Sequence, residues 1–310
     1  PTRSIRESFA REIHLLATID HPGVVKMLGA TEDMECIVLE HARTDLYFLV
    51  QRLKLKIPIT TFREWSRQIL DAVAFLHANN VVHRDIKSAN VLVFPDNTVK
   101  LCDFGSALSN AEESMEIRHE MMTLWYRAPE LLMGDTHYTP LVDEWSVGCV
   151  LLEILCGGCV LPGKTKARCK CSTVTHTNYN SDQLTLLFKL VGTPTKRAYL
   201  SRMNCMEHFF TWPLYPSKLH SKIAEAVTPE RCHATLSGSA FIEEELVKRP
   251  SARSSLPERD ESAAEITQQI HDMFDMLLCC DPAERRPCSE VVGAPFFNVG
   301  RKTRRPPTLA

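Results

Sequence analysis

Long apolar runs are missing from this chain of 310 residues. No 18 consecutive apolar residues occur, which is the length a membrane-crossing helix needs. The longest candidate, Val147 to Leu155, is broken by Glu153 and stopped by Gly157-Gly158, so it predicts a buried helix. Charge of one sign is lacking too. The 36 Lys and Arg residues nearly cancel the 38 Asp and Glu residues, leaving a net charge of -2. That balance offers no field for a nucleic-acid backbone. Neither nucleic acid nor membrane is expected as a partner. No secretory leader begins the sequence. Of the twelve cysteines, several lie in apolar segments, such as Cys149, Cys156, Cys279 and Cys280. In a chain this long they read as buried reduced thiols rather than a disulfide scaffold. The expected compartment is cytoplasm or nucleus.

What is present is chemistry at fixed spacing. His83-Arg84-Asp85-Ile86-Lys87-Ser88-Ala89-Asn90 is followed, thirteen residues after Asn90, by Asp103-Phe104-Gly105 and then by Ala128-Pro129-Glu130. Phosphoryl transfer needs a carboxylate near the accepting hydroxyl, oxygen ligands for Mg²⁺ and fixed positive charge. Asp85 supplies the first, Asn90 and Asp103 the second, and Lys87 the third. One such motif is weak, but all three in this order are strong. Upstream of residue 83 there is no G-x-G-x-x-G and no strand with an Ala-x-Lys pattern, the features that cover ATP phosphates. Two explanations stand. The favoured one is a fragment that lacks its first strands; the other is a protein that evolved without them.

The 44 % hydrophobic content supports a large core. Ile5, Phe9, Ile13 and Leu16 predict a helix over 4–18. Val24 to Leu28 and Cys36 to Leu39 read as strands, and Asp45 opens a short helix. Thr61, with Glu64 three residues on, predicts a capping box for a helix running to about His77. Val91 to Phe94 and Val99 to Leu101 form a hairpin, and beyond Asp143 the pattern is helical. The fold class expected is α+β: residues 1–42 as part of a small lobe, and 43–298 as a large helical lobe. Insertions are expected near 164–180 and 231–264, with a basic tail at 299–310.

These motifs resemble the eukaryotic protein kinases, and most closely the cyclin-dependent and related proline-directed group. The likeness rests on Arg11-Glu12-Ile13, Thr123 to Glu130, Asp143-x-Trp145-Ser146-x-Gly148-Cys149, Gly192-Thr193-Pro194, and Asp281-Pro282-x-x-Arg285. It implies a two-lobe fold, here with most of the small-lobe sheet missing, and ATP and Mg²⁺ as cofactors. Asp85 would orient the substrate hydroxyl, Lys87 would reach the transferred phosphate, and Asn90 and Asp103 would hold metal. The connector Glu40-His41-Ala42 would offer backbone groups to adenine, with Leu39 guarding the back of the pocket and Leu92 also among the nucleotide-binding residues. His83, Phe104 and Leu16 would stack. Asp143 would bond the catalytic-loop backbone, and Glu130 would pair with Arg285. Gly105 completes the metal triplet. Arg127 belongs to the segment that receives a proline after the target residue. Glu12, whose usual lysine partner is absent, would stand unpaired on the helix surface.

Three positions depart from the group. Ser88-Ala89 stands where proline and a polar residue are usual. Arg118 stands where a phosphorylated threonine would bind Arg84 and Arg11; Glu113, Glu116 or Ser114 could supply the charge instead. The stretch 164–180 has no match, and Cys169-x-Cys171-x₄-His176 offers only three ligands, so a basic loop is preferred to a zinc site. Protein substrates are the implied partners, and a cyclin-like activator is implied by Arg11-Glu12-Ile13 alone. The function expected is a serine/threonine kinase, with Lys87 arguing against a tyrosine kinase. A pseudokinase or binding scaffold is the alternative.

Overall fold

The computed structural model describes residues 3–32, 36–109, 122–135, 139–164, 181–203, 209–210, 212–232 and 262–298, with backbone only for 3–7. The expectations for Glu113, Ser114, Glu116, Arg118, the Cys169–His176 cluster and the basic tail lie outside the described residues.

Helix α1, Arg3–Thr18, precedes a two-stranded antiparallel sheet of β1, Met27–Ala30, and β2, Ile37–Leu39. The first strand begins later than its sequence pattern suggested. Val24 and Val25 are drawn instead to Leu101, which receives the Val25 N–H at 2.9 Å. A second sheet runs β3–β5–β6: Thr44–Asp45, Val91–Val93 and Val99–Leu101, all antiparallel. Asn97 takes a left-handed φ of 68° in the turn between the last two strands. A third pair joins β4, Val81–Val82, to β7, Leu108–Ser109. Asp45 caps a turn of π-helix, Phe48–Arg52, by accepting the Phe48 N–H at 2.8 Å.

The large lobe is helical. Helix α2, Ile59–Ala78, buries Phe62, Trp65, Ile69, Val73 and Leu76 on one face, as the spacing predicts. Its start corrects the expected capping box. Pro58 holds the cap position, so Thr61 lies inside the first turn, and its buried hydroxyl has no partner among the described residues. The Glu64 carboxylate turns to Asn97 instead. A capping box does form at Ser262 and Glu265, where sequence reading expected only a surface excursion.

Short α3, Pro129–Leu132, leads to α4, Leu141–Cys156. From Val142 to Leu155 every residue of α4 is buried, which is what a helix apolar on all sides requires. Gly157 ends it at φ 71°, a left-handed geometry that glycine adopts without strain. The rest of the lobe is α5, Ser181–Val191; α6, Arg197–Leu200; α7, Leu219–Ala226; α8, Pro229–Cys232; α9, Ala263–Leu277; and α10, Cys288–Val291, of which α7 and α9 pack on α4, and α10 packs on α2. The class is α+β with a mainly helical large lobe. No described helix is long and apolar enough to cross a membrane.

Candidate active site

The loop between β4 and β5 carries Asp85, Lys87 and Asn90, and its shape is set from below by α4. Asp143, fully buried at the start of that helix, accepts the backbone N–H groups of His83 at 2.8 Å and Arg84 at 2.9 Å. Arg84 sits at φ 65°, a backbone state that costs a residue with a Cβ about 1–3 kcal/mol and needs such anchoring. Asp143 is itself held by His77 from α2. The imidazole bridges two carboxylates, Nε2 to Asp143 at 3.0 Å and Nδ1 to Glu144 at 3.0 Å. Burial alone would lower the His77 pKa. Bonds and charge from Asp143 and Glu144 outweigh it and raise it to about 10. For Asp143, burial is likewise overcome by His77 and the backbone donors, and its pKa is lowered.

The side chains above this floor converge. Lys87 Nζ lies 2.5 Å from Asp85 Oδ2. Thr123 donates to Asp85 Oδ1 through its hydroxyl at 2.8 Å and its N–H at 3.1 Å, and its hydroxyl also accepts from Lys87 at 3.3 Å. Asn90 Nδ2 donates to the Asp85 carbonyl at 2.9 Å and to Asp103 Oδ2 at 3.2 Å. An amide oxygen at Asn90 and a carboxylate at Asp103 are the donor types that a hard cation such as Mg²⁺ takes.

Asp103 occupies a left-handed φ of 65° at the start of a tight turn, Phe104–Ser106. Helix α1 packs on that turn and corrects the expectation that Glu12 stands on the helix surface. Glu12 Oε1 accepts the Phe104 N–H at 3.2 Å, and burial raises its pKa. The Phe104 ring lies 4.9 Å from that of His83, and Leu16 is buried in the same core. Arg84 Nε donates to the Ser106 carbonyl at 2.7 Å.

The substrate-side segment is tied down as firmly. Tyr126 O–H donates to the buried Glu153 of α4 at 2.8 Å and lies 2.9 Å from Ser88 Oγ. Ser88 thus fills the usual proline position with a bond between the catalytic loop and this segment. Burial raises the Glu153 pKa. Ser146 donates to the Tyr126 carbonyl at 2.8 Å. Arg127 reaches the Met122 carbonyl at 2.7 Å, and the Trp125 indole N–H reaches that of Gly163 at 2.9 Å. Glu130 and Arg285 form a bidentate pair at 2.9 and 3.0 Å, with both side chains buried.

The proposed nucleotide edge is less specific. The Glu40 carboxylate binds Lys100 at 2.7 Å and the Lys26 N–H at 2.8 Å, so it braces the connector. Ala42 and Leu92 are half-buried nearby, Leu92 in β5 opposite Asp45. Sequence reasoning missed His77, Glu153 and Ser8. Only Glu153, a polar residue within an otherwise apolar stretch of α4, carried a local mark in the sequence.

A match to the protein kinase domain family spans residues 2–297. Over 192 residues the chain is 35 % identical to the Cell division control protein 2 homolog 3 of Trypanosoma brucei brucei, covering 61 % of this chain and 57 % of that one. The chain therefore spans a little over half the length of that relative. A chain from the crystal structure of the yeast RNA Pol II CTD kinase CTDK-1 complex superposes with a TM-score of 0.71 at 24 % identity. That superposition covers 95 % of this chain and 82 % of the other, and it shows a shared fold. The chain belongs to the protein kinase domain family.

Proposed function

We propose that the protein transfers the γ-phosphate of ATP to serine or threonine hydroxyls, with proline following the target residue. The convergence of Asp85, Lys87, Asn90, Asp103 and Thr123 at hydrogen-bond distance carries the reading. Asp85 would take the hydroxyl proton, in reach of a nucleophile that replaces Thr123 as its partner. Lys87 would hold the transferred phosphate by charge. Asn90 and Asp103 would hold Mg²⁺, which when bound neutralises phosphate charge. The proline preference rests on the Trp125-Tyr126-Arg127 segment and its anchors at Gly163, Glu153 and Met122.

Transfer is assigned to the whole protein. Upstream of residue 83 the sequence carries no G-x-G-x-x-G loop and no Ala-x-Lys strand, so little transfer is expected of the 310 residues alone. The substrates are proteins, and the location is cytoplasmic or nuclear. A cyclin-like activator docking on α1 fits the resemblance at Arg11-Glu12-Ile13. The test is a Ser/Thr peptide array with Mg²⁺ and ATP. Labelling of Ser-Pro and Thr-Pro peptides, abolished in Asp85→Asn, is expected. Labelling without a proline bias would remove the specificity, and an undiminished Asp85→Asn variant would remove the mechanism.

A further inference from the structure

The three α1 side chains facing the metal triplet are spaced i, i+3 and i+4, so they share one helix face: Ser8, Arg11 and Glu12. All three end on the backbone of one turn. Glu12 takes the Phe104 N–H. Ser8 Oγ donates to the Gly105 carbonyl at 2.7 Å, and Arg11 Nη1 donates to the same oxygen at 3.0 Å. The contact is close enough that a side chain at position 105 would have to displace the Ser8 hydroxyl. A Cβ on Gly105 would lie 2.6 Å from Ser8 Oγ. The next carbonyl, of Ser106, is taken by Arg84. Arg11 and Arg84 are the two arginines that the family resemblance assigns to a phosphothreonine, and position 118 has no hydroxyl to phosphorylate.

We infer that Ser8 and Arg11 are positioning residues that, with Arg84, fix the turn carrying Asp103 through main-chain carbonyls and without a phosphate. The inference deepens the kinase reading above and rests on it for the role of Asp103. Consecutive carbonyls here accept the charge-assisted bonds a phosphate would accept. The left-handed Asp103 is then held by its neighbours on the turn, and α1 becomes the element that sets its conformation. Ser8 supplies the hydroxyl that meets Gly105.

The experiment measures amide exchange at Phe104 in the 310-residue chain after phosphatase treatment, with Mg²⁺·ATP binding to the whole protein followed by calorimetry. In the double variant Ser8→Ala/Arg11→Met, Phe104 exchange should speed up about tenfold through the loss of two hydrogen bonds, while amides of α2 and α4 stay unchanged. Ser8→Thr, which keeps the hydroxyl, should behave as the parent. Phe104 exchange unchanged in the double variant overturns the inference, as does protection that appears only after phosphorylation. Exchange that responds while no form binds Mg²⁺·ATP leaves the latch standing and removes the kinase reading. Intact ATP binding with silent exchange removes the latch alone.

Discussion

Arg285 offers the sharpest test of how the large lobe is held together. Its side chain is 0 % exposed and that of Glu130 is 2 % exposed. The guanidinium makes two bonds to that carboxylate and others to the carbonyls of Leu141 at 2.6 Å and Cys279 at 2.9 Å. Arg285→Ala removes the cation and leaves Glu130 buried and charged. Breaking one side of such a pair costs about 3–5 kcal/mol. The surface pair Arg67–Asp71, 3.6 Å apart with both side chains 44 % exposed, is an internal control, and Arg67→Ala should cost about 0–1 kcal/mol. Urea melts of the full chain compare the two. A loss on the first scale takes a large share of a typical stability of about 5–15 kcal/mol, so Arg285→Ala could unfold outright. A second variant covers that outcome. Glu130→Leu/Arg285→Met replaces both charges by apolar groups and should lie near the parent or about 1–4 kcal/mol above it. Arg285→Ala behaving like Arg67→Ala would refute the reasoning, because the desolvated charge left behind would then carry no penalty.

Further tests concern single residues. His77→Gln should cost about 1.5–3 kcal/mol for each charged hydrogen bond lost to Asp143 or Glu144, read by thermal melts near pH 6. The folded His77 pKa is raised to about 10 from 6.5. Its stabilisation is therefore complete below about pH 6.5 and is lost as pH rises through 10. Parent and variant melts should converge on that side, and a gap that widens with pH would contradict the assignment. Tyr126→Phe removes the bonds to Ser88 and Glu153. It should raise the KM for a Ser-Pro peptide more than it lowers kcat, and an unchanged KM would count against a role for the segment in substrate binding. Asp103→Asn should weaken Mg²⁺·ATP binding in the whole protein by calorimetry, whereas Asp85→Asn should leave it nearly intact. Equal affinities in the two would undo the division of roles. Arg231→Met should destabilise the lobe by about 2–4 kcal/mol, because its guanidinium gathers the carbonyls of Ile57, Leu155 and Ala226. A urea midpoint equal to that of the parent would show those bonds to be dispensable.

Local signals in the sequence were sufficient for most elements and for the groups gathered at the candidate site. The spacing of Phe62, Trp65, Ile69 and Val73 forecast α2, and the apolar run at 147–155 forecast a buried α4. Asp85, Asn90 and Asp103 were legible because their motifs are short and contiguous. What escaped depends on partners far along the chain. Glu12 looked unpaired because the strand lysine is absent, yet the Phe104 N–H lies 92 residues away and no motif announces that contact. Thr61 was read as a cap because Glu64 stands three residues on, but the preceding proline already preorganises the first turn. His77 looked like a helix-end residue until the fold set it between two carboxylates from α4. The Ser262–Glu265 box was hidden by the polar composition of the residues before it.

Helix α4 shows why a core so apolar carries so many buried polar groups. Four of its side chains point to function-bearing segments: Asp143 to the catalytic-loop backbone, Glu144 to His77, Ser146 to the Tyr126 carbonyl, and Glu153 to the Tyr126 hydroxyl. Apolar replacements of similar volume would remove their desolvation cost and pack as well. They would also release the catalytic loop from the substrate segment, because apolar contact has no direction and cannot hold Arg84 in a left-handed backbone state. Each of the four has at least one hydrogen-bond partner, so the cost of burial is contained. The helix trades some stability for fixed geometry at two loops. That trade fits the proposed reaction, in which Asp85 and the Tyr126 segment would meet one ligand at one distance.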